Sequence, residues 1–143
     1  MGVVGEIFLK FNPFAQKDIT TWLIDRGIEV VPPLMTDFFM QSFVNMKVNQ
    51  DSHIKKKYIP DFAIDWLYGK VQKQIDKINK IGKAFLYFQP FENIYEKAEK
   101  AKQVISLNTQ FGEGWLIAGE MSSFASQGIN HVISLQPFGC IAN

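Results

Sequence analysis

The sequence predicts an α/β fold. It reads as an open three-layer sheet with at least three parallel strands in the order 2-1-3, helices on both faces and a helical excursion. Three observations carry that expectation. Short apolar runs at Val3 to Lys10, Ile28 to Val31 and Ile129 to Leu135 are each followed by proline, at Pro13, Pro32 and Pro137. Stretches of helical periodicity end at Gly27 and Gly128, each directly before one of those runs. Helix, glycine and strand repeating in that order is the grammar of right-handed β-α-β units, whose sheets are covered by helices.

Val3 to Lys10 is the first predicted strand, and Phe11-Asn12-Pro13-Phe14 breaks it because proline cannot continue a ladder. Ile19, Trp22, Leu23 and Arg26 then recur at helical spacing across residues 16–26. Gly27 stands where a left-handed C-cap belongs, and Ile28-Glu29-Val30-Val31 is the next strand. Leu34 to Met46 is rich in phenylalanine and reads as a helix buried on most sides. Residues 47–60, with Lys55-Lys56-Lys57, read as a polar loop closed by Pro60.

Asp61 is the predicted N-cap of a long helix to about Ile81, with the stripe Ile64, Leu67, Val71, Ile75 and Ile78. Phe85 to Phe88 is a candidate further strand. Glu92 to Ile105 is an amphipathic helix through Ile94, Ala98, Ala101 and Ile105. The last helix runs from about Glu113 to Gln127 with Leu116, Met121 and Phe124 on its apolar side, and the strand Ile129 to Leu135 follows. The chain is read as a single α/β domain fragment over 1–143, with about 34–105 a mostly helical insertion. A buried parallel strand normally feeds a crossover helix, so a sequence that stops soon after one is expected to be a truncated fold.

Charge is uneven along the chain. Residues 47–102 hold twelve basic and seven acidic side chains, net +5, and the remainder holds three and seven, net −4. The single cysteine excludes an internal disulfide framework. The N-terminus lacks the basic and apolar regions of a signal peptide, and no apolar run has the length of a bilayer span. A cytoplasmic protein with neither membrane nor nucleic-acid partner is expected. The lysines at 70, 73, 77 and 80 read as a solvated helix face, diluted by Asp65 and Asp76.

In parallel sheets, ligands bind beyond the carboxyl ends of the strands. Asn12 and Pro13 on one side, and Gln136, Gly139 and Cys140 on the other, are the candidate residues at such an edge. Cys140 follows Gly139, which permits an unusual backbone angle, and reads either as a thiolate ligand or redox thiol or as a small inert apolar residue. Gly112, Glu113 and Gly114 lead into the last helix and are candidates for cradling an anionic cofactor group. Glu113 would repel a phosphate, so a structural helix start is the preferred reading of that triplet. Neither a Walker pattern nor a dinucleotide fingerprint is present, and no Ser–His–acid set appears.

These segments together resemble one family. Val4-Gly5-Glu6-Ile7-Phe8-Leu9-Lys10-Phe11-Asn12-Pro13-Phe14 and Gly27-Ile28-Glu29-Val30-Val31-Pro32-Pro33 resemble part of the acyl-CoA dehydratase activase-related proteins. These are large bacterial relatives of the 2-hydroxyglutaryl-CoA dehydratase activator. The likeness continues in Gly112-Glu113-Gly114-Trp115-Leu116-Ile117-Ala118-Gly119-Glu120-Met121 and in Gln136-Pro137-Phe138-Gly139-Cys140-Ile141-Ala142-Asn143. The resemblance implies a dehydratase-like region of a protein that also carries ATP-binding domains of the sugar-kinase and actin type. It further implies that ATP hydrolysis drives a low-potential electron from a 4Fe-4S cluster onto a dehydratase, with Cys140 as one metal ligand. The ATP-binding part and the other cysteines are missing from this sequence.

The expectation is therefore a non-catalytic part of a larger ATP-dependent activator, whose partners are its remaining domains and an acyl-CoA dehydratase. The alternative is a flavodoxin-like module that binds CoA or a nucleotide, or a docking module with an inert cysteine.

Overall fold

The computed structural model describes residues 1–54 and 59–140. The predicted Lys55-Lys56-Lys57 loop and the segment from Ile141 to Asn143 lie outside the described residues. In chain order the elements are β1 (Gly2–Gly5), α1 (Ile7–Phe11), α2 (Ile19–Ile24), α3 (Met35–Asp51), α4 (Asp61–Gly82), α5 (Ile94–Lys102), α6 (Gly114–Ser126) and β2 (Val132–Leu135).

Among the described residues no three-strand open sheet is present. The described residues are mostly helical (53%), and their sheet is a parallel pair, β1 with β2, in the register Gly2↔Val132 to Gly5↔Leu135. Residues 28–31 stay irregular and touch β1 through one parallel bridge, Gly2↔Val31. That segment is tied down by its ends, with Val31 N–H donating to the Met1 carbonyl at 2.8 Å and the N-terminal ammonium donating to Glu29 O at 2.6 Å. The predicted first strand is also shorter. Its apolar residues 7–10 turn into α1 because Gly5 takes φ 122° and the Glu6 carboxylate accepts from Leu9 N–H at 3.0 Å as an N-cap. A Cβ on Gly5 would stand 2.1 Å from the Leu135 carbonyl oxygen, so only glycine lets the strands close there.

Both predicted glycine stops are Schellman ends. Gly27 N–H donates to Ile24 O and Ile28 N–H to Leu23 O, and the same pair recurs as Gly128 to Ala125 and Ile129 to Phe124. In α4, Ile64 and Ile75 of the predicted stripe are buried, but Leu67 and Ile78 are about half exposed, since few neighbours cover this long helix. Residues 85–87 form an exposed turn rather than a strand.

Among the described residues, two apolar clusters hold the fold together. Met40, Val44, Ile75, Ile94, Ala98, Ala101, Leu107, Trp115 and Leu116 join α3 to α6 in a helical core. Val4, Ile117 and Phe124, with Val31, Ile129 and Val132 against them, form a second core beside the strands. Helix α6 supplies both. The Asn45 carboxamide accepts from the Trp115 indole N–H at 2.7 Å, which satisfies the polar edge of a fully buried ring.

Candidate functional site

At the carboxyl end of the strand pair, three chain segments are stitched together. Glu6 N–H donates to the Leu135 carbonyl at 2.9 Å, extending the ladder one step past β1. The next amide, Ile7 N–H, donates to Oε1 of Glu113 at 2.5 Å. Glu113 is buried, and it brings the start of α6 to the start of α1. Beyond β2, Cys140 N–H donates to Pro137 O at 3.2 Å, and Gly139 has φ 78°. Glycine with that angle in the third place is the signature of a type II turn. This turn holds Cys140 half-buried and leaves Phe138 fully exposed at its tip.

The predicted site residues divide into two groups. Gly112, Glu113 and Gly114 reach the strand end through the Glu113–Ile7 hydrogen bond, and Gln136, Gly139 and Cys140 follow β2 directly. The triplet works structurally here. Gly112 has φ 59°, and a Cβ on Gly114 would meet the Thr109 carbonyl oxygen at 2.2 Å. Gln136 has Oε1 buried without a hydrogen-bond partner, while its Nε2 donates to Ser134 Oγ at 3.4 Å. Asn12 and Pro13 are carried about one and a half helical turns beyond the strand end by α1. Asn12 uses its Oδ1 locally, accepting from Ala15 N–H at 3.1 Å.

A buried ionic network adjoins this edge, and sequence patterning did not single it out. The Lys10 ammonium at the end of α1 donates to both carboxylate oxygens of Glu120 in α6, at 2.9 and 3.2 Å, and both side chains are 1% exposed. Behind them, Lys97 of α5 pairs with Asp37 of α3 and stands 3.9 Å from Glu92. Glu92 also pairs with Lys100 and accepts from Ser123 Oγ at 2.6 Å. Burial pushes Glu120 up to about 7 despite the pull of Lys10 and Lys97, and Asp37 adds to the rise. Burial acts the same way on Glu92, but the Lys100 and Ser123 hydrogen bonds and the Lys97 charge outweigh it and hold that carboxyl below its ordinary value. The sequence does contain a signal: Glu120 falls four residues from both Leu116 and Phe124, on the buried line of α6.

Lys10 is also among the residues lining an open cleft of about 270 Å³ between α1, α2 and residues 30–32. Its lining is mainly apolar, from residues such as Val3, Phe11, Ile24 and Val30, with Asp18 and Thr20 among the polar ones. The Lys10 ammonium stands 5.7 Å from the Phe11 ring centroid. Two consecutive non-glycine residues beside this cleft, Lys17 and Asp18, hold φ of 52° and 53°. Backbone of that kind is costly for such residues.

No group of three or more His, Cys, Asp or Glu side chains able to hold a metal ion occurs among the described residues. An iron–sulfur cluster takes several thiolates, and this sequence has one cysteine, so the chain by itself does not fit a cluster. No helix among the described residues is long and apolar enough to cross a membrane. No protein-family model, curated protein or solved structure matches the chain.

Proposed function

We infer that this chain serves as the dehydratase-like region of an ATP-dependent iron–sulfur activator of 2-hydroxyacyl-CoA dehydratases or related acyl-CoA enzymes. In this reading it is not catalytic itself. It presents Cys140 as one thiolate of a cluster site whose other ligands, and whose ATP-binding domains, belong to the rest of the assembly. The cytoplasm suits such a thiol, because a reducing compartment keeps it available.

One observation carries the reading. Cys140 sits on a tight turn immediately beyond a strand, and Glu113, from the resembling stretch Gly112 to Met121, is hydrogen-bonded at that same strand end. A half-buried thiol on a hydrogen-bonded turn suits a ligand better than a core residue, which would be fully covered. Glu6 and Glu113 fix the edge from the other side, so the turn has a rigid base.

The test is the iron content and visible absorbance of the complete, anaerobically prepared assembly, compared with its Cys140→Ala form. Loss of iron and of the cluster absorbance in the variant is expected. Unchanged iron would remove Cys140 from the ligand set and end this reading.

A further inference from the structure

Helix α4 carries a line of positive charge with no acid set against it. Lys70, Lys73, Lys77 and Lys80 recur at helical spacing along one side of the rod, and all four are exposed. No carboxylate among the described residues pairs with them. Asp65 and Asp76, which dilute these lysines in the sequence, stand about a quarter-turn round the helix from them. Both acids are engaged there: Asp65 pairs with Lys47 at 2.6 Å, and Asp76 accepts from Gln72 Nε2 at 2.9 Å.

Two aromatic rings continue the same line towards the start of α4. Phe62 is 75% exposed and Trp66 65% exposed, with the Lys70 ammonium 5.6 Å from the Trp66 ring centroid. Leu67, Ile78 and Ile81 are about half exposed on the adjoining flank. From Phe62 to Lys80 the line runs for about 27 Å along a convex rod. Large exposed rings beside a row of ammonium groups mark a surface that meets a partner.

We propose that this face of α4 rests on an anionic lipid bilayer, its lysines among the headgroups and Phe62 and Trp66 lodged at the acyl boundary. The partner has to offer negative charge and hydrocarbon together over a flat area, and such a bilayer does. A second copy of the chain docked through the same face would bring the two lysine lines into like-charge contact. A nucleic acid would take the ammonium groups and stack on the two rings, but it offers nothing to Leu67, Ile78 and Ile81. The uneven charge of the chain, net +5 over residues 47–102 and −4 elsewhere, turns this side towards a negative surface. The contact is peripheral and reversible, with α4 lying along the interface, and it is independent of any role of Cys140.

Flotation of the chain with vesicles of phosphatidylcholine alone, and of phosphatidylcholine with about 30% phosphatidylserine, tests this. Binding is expected with the anionic vesicles only. It should fall steeply between about 0.1 M and about 1 M salt, as the screening length drops from about 10 Å to about 3 Å. Lys73→Gln and Lys77→Gln, both at exposed positions that leave the fold intact, should each weaken partitioning about fivefold. In a Trp22→Phe background the remaining exposed indole is Trp66, since Trp115 is fully buried. Its fluorescence should be quenched by bilayers whose acyl chains carry bromine. Absence of binding at low salt, equal binding to neutral vesicles, or unchanged partitioning in both lysine variants would each overturn the proposal. So would an unquenched Trp66 in the bound state, or tighter binding to a single-stranded oligonucleotide than to the anionic vesicles.

Discussion

The Glu113 carboxylate receives the backbone N–H of Ile7 at 2.5 Å, across 106 positions of sequence. Through this bond the start of one helix caps the start of another. A helix N-terminus leaves its first amides without intrahelical partners, and a buried carboxylate satisfies one of them with a charge-assisted bond.

Removing that acceptor should be expensive. Glu113→Ala leaves the Ile7 amide unsatisfied beside the strand end and is expected to cost about 1–3 kcal/mol in urea unfolding. Glu113→Gln, which keeps an oxygen acceptor, should lose less. Equal losses would show that packing rather than the hydrogen bond matters there.

Glycine substitutions should separate two kinds of position. At Gly5 the backbone has φ 122°, and an added Cβ meets the Leu135 carbonyl oxygen, so Gly5→Ala should cost more than about 2 kcal/mol and loosen the β1–β2 pair. At Gly27 the space is open and only the positive φ of 75° is penalised, so Gly27→Ala should cost about 1 kcal/mol. Thermal melts of the two variants decide this, and the reverse order would contradict the strand geometry.

Protonation of Glu120 sets a further expectation. Its folded value is raised from 4.5 to about 7, so between those pH values the native state holds a proton that the unfolded chain releases. Stability from this group is present in acid and falls as pH rises towards 7, by an amount on the order of 3 kcal/mol. Glu120→Gln should remove that slope. Urea midpoints of both proteins from pH 5 to pH 8 would show it as a difference that grows and then levels. A constant difference would mean that Glu120 stays ionised throughout.

Cys140 should be dispensable for folding. It lies half-buried on a turn outside both cores, so Cys140→Ser is expected to change stability by less than about 0.5 kcal/mol. The native thiol should also react fully with a chromogenic disulfide reagent. Protection of the thiol until the chain unfolds would place it deeper than this turn allows.

Local chemistry was legible in the sequence, and long-range pairing was not. Gly27, Gly128 and Gly139 announced two helix ends and a turn, because positive φ is written into a single residue type. The helices of residues 61–82, 94–102 and 114–126 followed from apolar spacing, to within a few residues at their ends, whereas residues 47–51, read as the start of a polar loop, continue the helix Met35–Asp51. The sheet was over-read because Ile28 to Val31 has strand-forming residues but only one bridge to β1. The Lys10 run carried strand-like apolarity, yet the Glu6 cap and the turn at Gly5 bent it into a helix. The ionic network escaped because Lys10, Asp37, Glu92, Lys97 and Glu120 come together only when α1, α3, α5 and α6 pack. A charged residue on a buried helical line was its one visible trace.

Helix α6 has a consequence for how the molecule comes apart. Trp115 and Leu116 belong to one apolar cluster, and Ile117 and Phe124 to the other, so a single rod is the shared axle of both halves. Neither half can melt without stripping a face of that axle. Heating should therefore dismantle the chain in one cooperative step, with indole fluorescence and helical signal lost together.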